Sequence, residues 1–416
     1  MDITKLKKYY IDNKLLVHCI LIAILFFVNC FVPGFGILGY LIVGAMIILS
    51  NISDGFSTLI FSIPFCCVDG YLSIFLFFIC FMIFLVKGFI KFKKDKKRIS
   101  LGLLISICLF CIYSFIPFGE YTIGMFVKIG ITLILVCVLI LFIHYPRELN
   151  LKFNISVLAI GMLISSAFFL TYFVSPYIHD RPMSTADDYF IRFSALLINP
   201  NTLAMMSEIC LALLTYFLIK DKFEWTDIIA YIIFSVLGIS TMSKTFLILY
   251  FVMLVILIIY LIKKYKTKTM WWIGGFALVF LVAFFIKSDF FLTYINRFMF
   301  IDFEDLTFGE ILNVITTYRY DLWCGVLEYL FMNPVILIFG HGFGAPLIEE
   351  LSAHNFYITL VYELGLIGAG IFVTMFVFLF LEKKRTTGKL FGKAVWVPII
   401  IIGLLMMVED LFLYIY

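Results

Sequence analysis

Residues 245–262 read TFLILYFVMLVILIIYLI, an apolar run that is long enough to cross a bilayer as one helix. Similar runs recur along most of the chain, and a short one at 56–68 contains Pro64 and is either a further span or a re-entrant piece. The sequence therefore predicts an all-α polytopic membrane protein with about 12–13 transmembrane helices in a single helical domain, residues 1–416. The other predicted spans are 15–32, 35–50, 70–90, 99–118, 121–144, 154–177, 199–219, 226–242, 270–286, 355–381 and 394–414.

The composition leads to the same class of protein. Of the 416 residues, 64% are hydrophobic and 14% are charged, and the mean hydropathy is +1.12. A soluble domain averages about half apolar and about a quarter charged residues. These values exclude a soluble globular enzyme, a disordered chain and a disulfide-rich secreted scaffold, so lipid must be the solvent for most of the chain.

The lysines cluster in short runs between the apolar stretches, which is typical of cytoplasmic loops and not of nucleic-acid binding. The basic N-terminus indicates an uncleaved first span that begins inside. If 56–68 crosses the bilayer, every basic run lies on the same side as the N-terminus, which favours about 13 spans. The runs are Lys5–Lys14, Lys87–Lys97, Lys220–Lys222, Lys263–Lys268 and Lys383–Lys393.

Two longer polar segments, 178–198 and 288–353, then face outward. Neither contains lysine, and together they contain four arginines: Arg181, Arg192, Arg297 and Arg319. Guanidinium groups bind phosphate oxygens through two parallel hydrogen bonds, so these segments suit a diphosphate at the membrane surface. Ion pairing with the acidic residues of the larger segment is the alternative.

The larger outward segment, 288–353, also has a helical pattern. Its apolar residues recur near helical spacing, which predicts an amphipathic helix at the outer membrane face. We interpret this segment as part of an active site, because a loop this long is uncommon without a function. The residues that carry the pattern are Ile311, Leu312, Ile315, Leu322 and Val326.

Ionisable residues within the predicted spans are costly in lipid. We expect Lys128 to extend its ammonium to the interface. The acidic residues should face the bundle interior, either as packing partners or as the lining of a substrate cavity. They are Asp69, Glu208, Glu363, Glu409 and Asp410.

Motifs for metals and nucleotide cofactors do not occur in the sequence. The five histidines show no tight metal-binding spacing, and no Walker A or glycine-rich dinucleotide motif is present. We therefore expect no metal and no cofactor.

Three blocks in the second half of the chain have a more specific pattern. The first is RFSALLINPNTLA at 192–204. The second is YRYDLW at 318–323, followed by NP at 333–334 and GHGFG at 340–344. The third is HNFYITLVYELGLIG at 354–368. His354 and Asn355 would open a helix at the outer surface, where the helix N-terminus suits an anion. Ordinary helix capping is the alternative for the asparagine-containing helix starts of the first and third blocks.

In this order, the blocks resemble the O-antigen ligase/polymerase family, the Wzy-like membrane glycosyltransferases. The resemblance covers roughly residues 185–370 and rests on the arginine before N-P-N-x-L-A, the R-x-x-x-W and G-x-G motifs, and the closing H-N helix. The chain departs from the family at two positions. Ala195 stands where many members have glycine, and Ser243-Lys244 stands where many have Ser-Arg.

The resemblance implies transfer of a glycan from an undecaprenyl diphosphate donor to an acceptor hydroxyl. It assigns Arg192 and Arg319 to the diphosphate, and His354 to acceptor activation or diphosphate contact. No metal is required, because the leaving group is already activated. Further substrate contacts are expected from Arg297, Lys244, Asn201, Asn355 and Glu363.

Polymerase and ligase share this chemistry and differ in the acceptor. We expect a polymerase of lipid-linked repeat units in the bacterial cytoplasmic membrane, with its active site facing outward. Its expected partners are the lipid-linked donor, the lipid-linked acceptor and the bilayer. A flippase and a chain-length regulator are also compatible with this function. A ligase that delivers glycan to lipid A core or protein is the first alternative, and a flippase for lipid-linked glycans is the second.

Overall fold

The computed structural model describes residues 13–32, 34–67, 71–115, 123–170, 193–197, 199–221, 224–265, 307–316, 319–345, 355–388 and 396–406. Within these ranges all regular structure is helical and no strand occurs. The helices are α1 (Lys14–Asn29), α2 (Phe35–Leu49), α3 (Ile52–Ser62), α4 (Tyr71–Lys94), α5 (Leu101–Ser114), α6 (Ile123–His144), α7 (Leu151–Leu170), α8 (Pro200–Lys220), α9 (Trp225–Ser240), α10 (Lys244–Tyr265), α11 (Phe308–Ile315), α12 (Arg319–Met332), α13 (Pro334–Phe339), α14 (Phe356–Thr387) and α15 (Trp396–Met406).

Six of the described helices are long and apolar enough to cross a membrane: α4, α6, α7, α8, α10 and α14. Shorter apolar helices are α1, α2, α5, α9, and α3 together with the 3₁₀ turn Ile63–Phe65 that follows it. Within the described residues, every predicted span up to residue 262 overlaps one of these helices. The chain is therefore an all-α polytopic membrane protein, as the sequence predicts. The predicted span 270–286 lies outside the described residues.

Several helices begin at an asparagine that caps the free backbone N–H groups of the first turn. The Oδ1 atom of Asn51 accepts the N–H of Asp54 at 2.7 Å, and Asn199 accepts the N–H of Asn201 at 2.8 Å. Pro200 follows Asn199 in the first turn of α8, where its missing N–H costs nothing. The Asn199-Pro200-Asn201 start is thus an ordinary helix cap.

The described chain divides into two compact units. The first comprises Met1–Lys97 and Tyr145–Leu257. Its core contains the stacked rings of Phe26 and Phe65, whose centroids are 5.0 Å apart. The Tyr40 hydroxyl donates a 2.8 Å hydrogen bond to the carbonyl of Phe65, which fixes the turn after α3 against α2.

The second unit comprises Arg98–His144 and Ile258–Tyr416. Helix α5 runs antiparallel to α14, since Gly102 faces Phe378 near one end and Tyr113 faces Gly368 near the other. Glycine at both contacts lets an aromatic ring approach the neighbouring backbone closely. Helix α6 runs parallel to α14 and is joined to it by the Lys128–Glu363 ion pair and by the contact between His144 and Glu382.

Candidate functional site

Helix α14 is interrupted at Gly365. This residue is buried and has φ 64° and ψ −178°, a combination that only glycine adopts readily. The interruption removes the N–H donors that would otherwise bond the carbonyls of the preceding turn. A buried carbonyl without a donor is costly in a membrane protein, so another part of the chain must supply one.

The donors come from the GHGFG motif at 340–344. The N–H of His341 donates to the carbonyl of Tyr362 at 2.9 Å, and the N–H of Gly342 donates to the carbonyl of Glu363 at 2.9 Å. The motif therefore continues the hydrogen bonding of α14 across its break. Two motifs about twenty residues apart in the sequence form one structural element.

The approach between the two backbones requires glycine on both sides. A Cβ added at Gly365 would overlap the backbone of Gly340 and Ile338, and a Cβ at Gly340 would overlap the backbone of Glu363, Leu364 and Gly365. Gly340 also has φ 82°, in the left-handed region. The G-x-G spacing and the glycine of the third block thus have a common structural cause.

A buried ion pair lies next to the break. The Lys128 ammonium of α6 contacts the carboxylate of Glu363, and the two side chains are only 8% and 4% exposed. The expectation that Lys128 extends to the interface is therefore wrong, because the lysine is held by an acidic partner inside the unit. Glu363 faces the interior, as the sequence predicts. The sequence signal for this pair is a lone lysine inside an apolar helix.

An aromatic cluster surrounds the same motif. The ring of His341 stacks on Tyr362 with a centroid separation of 5.0 Å and on Tyr329 at 5.9 Å. The Nε2 atom of His341 lies 2.8 Å from the Tyr329 hydroxyl. Val326 and Leu330 of α12 pack with Tyr362 beneath these rings. Partial burial lowers the pKa of His341 from its ordinary value of 6.5, so the ring is neutral at physiological pH.

The amphipathic pattern that the sequence predicts within 288–353 is divided between α11 and α12. A capping box starts α11, with the Thr307 N–H donating to Glu310 at 2.8 Å. At the joint, the N–H of Asp321 donates to the side-chain oxygen of Asn313 at 3.0 Å, and the Asn313 amide donates back to the Asp321 carboxylate. The sequence predicts an amphipathic helix here. The structure divides this pattern into two helices, which the Asn313–Asp321 hydrogen bonds join.

Arg319 is the first residue of α12. Its N–H donates to the carbonyl of Thr316 at 3.4 Å. Tyr329 lies about 15 Å further along the same helix axis. The structure therefore places Arg319, a predicted diphosphate ligand, and Tyr329, which contacts His341 at the α14 break, near opposite ends of α12.

Asn355 caps α14, as the alternative reading of the third block allows. Its Oδ1 atom accepts the N–H groups of Tyr357 and Ile358 at 3.1 and 3.2 Å. The preceding residue, His354, lies outside the described residues, as do Arg192 and Arg297. Their predicted roles stay predictions.

In the first unit, the two remaining predicted residues lie in α8 and at the α9–α10 turn. Asn201 is in the first turn of α8, and Lys244 is the first residue of α10. The N–H of Phe193 donates to the carbonyl of Ser240 at 3.2 Å. The backbone that follows Arg192 is thus joined to the turn that carries Lys244.

Ala195 is one of the two positions at which the sequence departs from the resemblance. It has φ 52° and is buried. A non-glycine residue is uncommon in this left-handed conformation, which costs about 1 kcal/mol or more. Glycine adopts this conformation freely. The local backbone shape therefore accommodates the alanine at a modest cost.

A second ionic network joins α6 and α14 at the far end of both helices. The Glu382 carboxylate is fully buried. It lies 3.1 Å from Nε2 of His144, accepts the Ser100 N–H at 3.0 Å, and accepts Nε of Arg385 at 3.3 Å. Arg385 also donates to the carbonyl of Arg98. The helix is unbroken here, and the carboxylate is enclosed by its donors.

Comparisons with family models, with curated protein sequences and with solved structures found no match to the chain. Within the described ranges, no three histidine, cysteine or acidic side chains gather as they would around a metal ion. The site is therefore defined by its geometry: a broken membrane helix, a glycine motif docked into the break, a buried Lys128–Glu363 pair and a Tyr329–His341 hydrogen bond.

Proposed function

We propose that the chain is a membrane glycosyltransferase that polymerises undecaprenyl-diphosphate-linked oligosaccharide repeat units. The product is a capsular or O-antigen-type polysaccharide at the outer face of the bacterial cytoplasmic membrane. One observation supports this proposal most strongly: two of the blocks that carry the family resemblance dock onto each other at the α14 break. Two motifs that resemble the family separately in the sequence are thus joined by backbone hydrogen bonds in the structure.

The chemistry of the transfer fits the residue types of the resemblance. A diphosphate leaving group needs positive charge where its negative charge develops. Arg192, Arg319 and Arg297 supply guanidinium groups in the outward segments, and Lys244 is a further cation. The acceptor hydroxyl needs a group that takes its proton, and the resemblance assigns His354 either to that step or to contact with the diphosphate.

A second candidate function is supported by the same break. Secondary transporters bind substrate at interrupted membrane helices, and buried ionisable residues within spans mark transport pathways. The Gly365 break beside the Lys128–Glu363 pair has both features. A flippase for lipid-linked glycans is therefore the alternative to the transferase.

Deletion of the gene in its native host, followed by gel sizing of lipid-linked and surface glycans, tests the proposal. We expect single repeat units in place of a polymer ladder, with the ladder restored by the wild-type gene. Restoration should fail for Arg319→Ala and His354→Ala variants expressed at the wild-type level.

Two other outcomes would contradict the polymerase. Full-length polymer that stays on the lipid carrier and is missing from its final acceptor would indicate a ligase. Repeat units trapped on the cytoplasmic side would indicate a flippase, and a flippase should tolerate the Arg319 and His354 variants better than a transferase.

A further inference from the structure

His341 is held at the α14 break with unusual constraint for a loop residue. Its own N–H and that of Gly342 are bonded to carbonyls of α14. Gly340 before it has no room for a side chain. Phe343 after it is buried and packs edge-on against Phe110 of α5, with centroids 5.7 Å apart. The backbone therefore fixes the position of the imidazole ring.

The two nitrogens of this ring have different surroundings. Nε2 is within hydrogen-bond distance of the Tyr329 hydroxyl, at 2.8 Å. In the part of the chain that the structure describes, Nδ1 has no hydrogen-bond partner, and the residue is half-buried. When Nε2 carries the proton and donates it to the Tyr329 oxygen, Nδ1 has a lone pair that is available to accept a proton.

We propose that His341, oriented by Tyr329, accepts the proton of the acceptor hydroxyl during glycan transfer. This inference rests on the proposed function. The acceptor oxygen forms a bond to the anomeric carbon of the donor glycan, and the bond from that carbon to the diphosphate oxygen breaks. The electron pair of the broken bond stays on the diphosphate. The hydroxyl proton moves to Nδ1, while the Nε2 proton remains shared with Tyr329.

The surroundings of the ring suit this role in both protonation states. Partial burial lowers the pKa of His341, so the free ring is neutral and able to accept a proton. The rings of His341, Tyr329 and Tyr362 form a triangle with centroid separations of 5.0, 5.9 and 6.2 Å. Once protonated, the imidazole lies against the face of Tyr362, where a cation is stabilised by about 0.5–1 kcal/mol.

The other titratable groups near the ring come from four packed helices. On α14, Glu363 follows Tyr362 and is paired with Lys128 of α6. On α5, the Tyr113 hydroxyl donates to the carbonyl of Phe339 at 2.9 Å. On α12, Tyr329 contacts the ring, and α13 contains no titratable residue.

The test is a kinetic comparison of full-length protein in lipid vesicles, with a lipid-diphosphate-linked repeat unit as donor and acceptor. The variants are His341→Gln, whose amide reaches the position of Nε2 but takes up no proton, and Tyr329→Phe. His18→Gln, at a buried histidine near Thr58 in the other unit, and Tyr40→Phe are the matched controls.

We expect His341→Gln to lower kcat by about 100-fold or more while KM changes by less than about threefold. The acid limb of the pH–rate profile should disappear in that variant and shift in Tyr329→Phe. If His341 had only a structural role, the folded fraction of the variant would keep the acid limb of the pH–rate profile. A His341→Gln enzyme with kcat within threefold of wild type and an unchanged acid limb would overturn the assignment.

A second readout does not depend on turnover. Diethyl pyrocarbonate modifies neutral imidazole, and mass spectrometry measures its rate at His341 and His18 separately. Undecaprenyl diphosphate should slow the modification of His341 and leave the modification rate of His18 unchanged. A modification rate of His341 that is the same with and without undecaprenyl diphosphate would overturn the assignment. Absence of transfer by the wild-type protein, with lipid-linked glycan flipping intact, would instead contradict the proposed function and the assignment with it.

Discussion

The two ends of the α6–α14 helix pair have similar buried side-chain pairs but differ in the backbone of α14. At each end, a buried glutamate of α14 pairs with a basic residue of α6: Lys128 with Glu363, and His144 with Glu382. The pairs are about 24 Å apart along α6 and about 28 Å apart along α14. This separation is close to the roughly 30 Å thickness of a hydrocarbon core.

The difference between the ends is in the backbone. At Glu382 the helix is continuous, and His144, Ser100 and Arg385 enclose the carboxylate. At Glu363 the helix is broken two residues later, and its carbonyls bond a segment from elsewhere in the chain. An ion pair on a continuous helix holds two helices together. The ion pair beside the break lies where the backbone of α14 is instead bonded to the GHGFG motif.

The largest expected effect is that of Gly365→Ala. The new Cβ would overlap the backbone of Gly340 and Ile338, and the backbone conformation is one that alanine does not adopt. We expect a loss of about 3 kcal/mol or more in unfolding free energy, or no folded protein, measured by thermal unfolding in detergent. Gly370→Ala on the same helix is the control, because a Cβ there meets nothing. A Gly365→Ala variant as stable as Gly370→Ala would contradict the docked break.

Lys128→Met should have the next largest effect. It leaves the Glu363 carboxylate buried without its cation, which costs about 3–5 kcal/mol. Removal of both charges, in Lys128→Met with Glu363→Gln, should recover much of that stability. Lys91→Met is the matched control, since the Lys91–Glu148 pair is 32% and 40% exposed and should contribute about 1 kcal/mol or less. Equal losses for the two lysine variants would show that the Lys128 pair is not buried in the membrane.

Glu382→Gln separates the two ends by function. The variant weakens charge-assisted hydrogen bonds to His144 and Arg385, and we expect a loss of about 2 kcal/mol. Since this end has no break, glycan polymerisation by the folded fraction should match the wild type after correction for protein level. If specific activity fell as steeply with Glu382→Gln as with Glu363→Gln, the two ends of α14 would not differ in function.

The smallest expected effect is a pH dependence from His341, which lies outside the membrane-spanning helices. Its folded pKa is below the ordinary value of 6.5, so the unfolded chain binds more protons between these two values. The contribution of His341 to the free energy of unfolding has its full value above about pH 6.5 and is lost as the pH falls toward the folded pKa. We expect a loss of about 1 kcal/mol or less, measured by thermal unfolding across pH, which His341→Gln should remove. A loss of the same size in His341→Gln would assign it to another group.

Much of the fold follows from the sequence, because lipid demands long apolar helices and the chain contains them as uninterrupted runs. The positions of α4, α6 and α10 are examples. The asparagine starts of α8 and α14 could also be predicted, since capping depends on residues adjacent in sequence.

The arrangement of the site could not be predicted in the same way. The break at Gly365 depends on Gly340 and on the donors of His341 and Gly342, which are distant in sequence. An apolar run that contains a glycine is equally compatible with a continuous helix. The sequence predicts an interfacial Lys128, because periodicity does not show that an acidic residue 235 positions later is its partner.

The most direct test of the central claim is glycan sizing in the deletion strain, complemented with Glu363→Gln and Glu382→Gln at matched protein levels. The account predicts that Glu382→Gln restores the polymer ladder and that Glu363→Gln leaves single repeat units. A full ladder from both variants would contradict the assignment of the site to the α14 break.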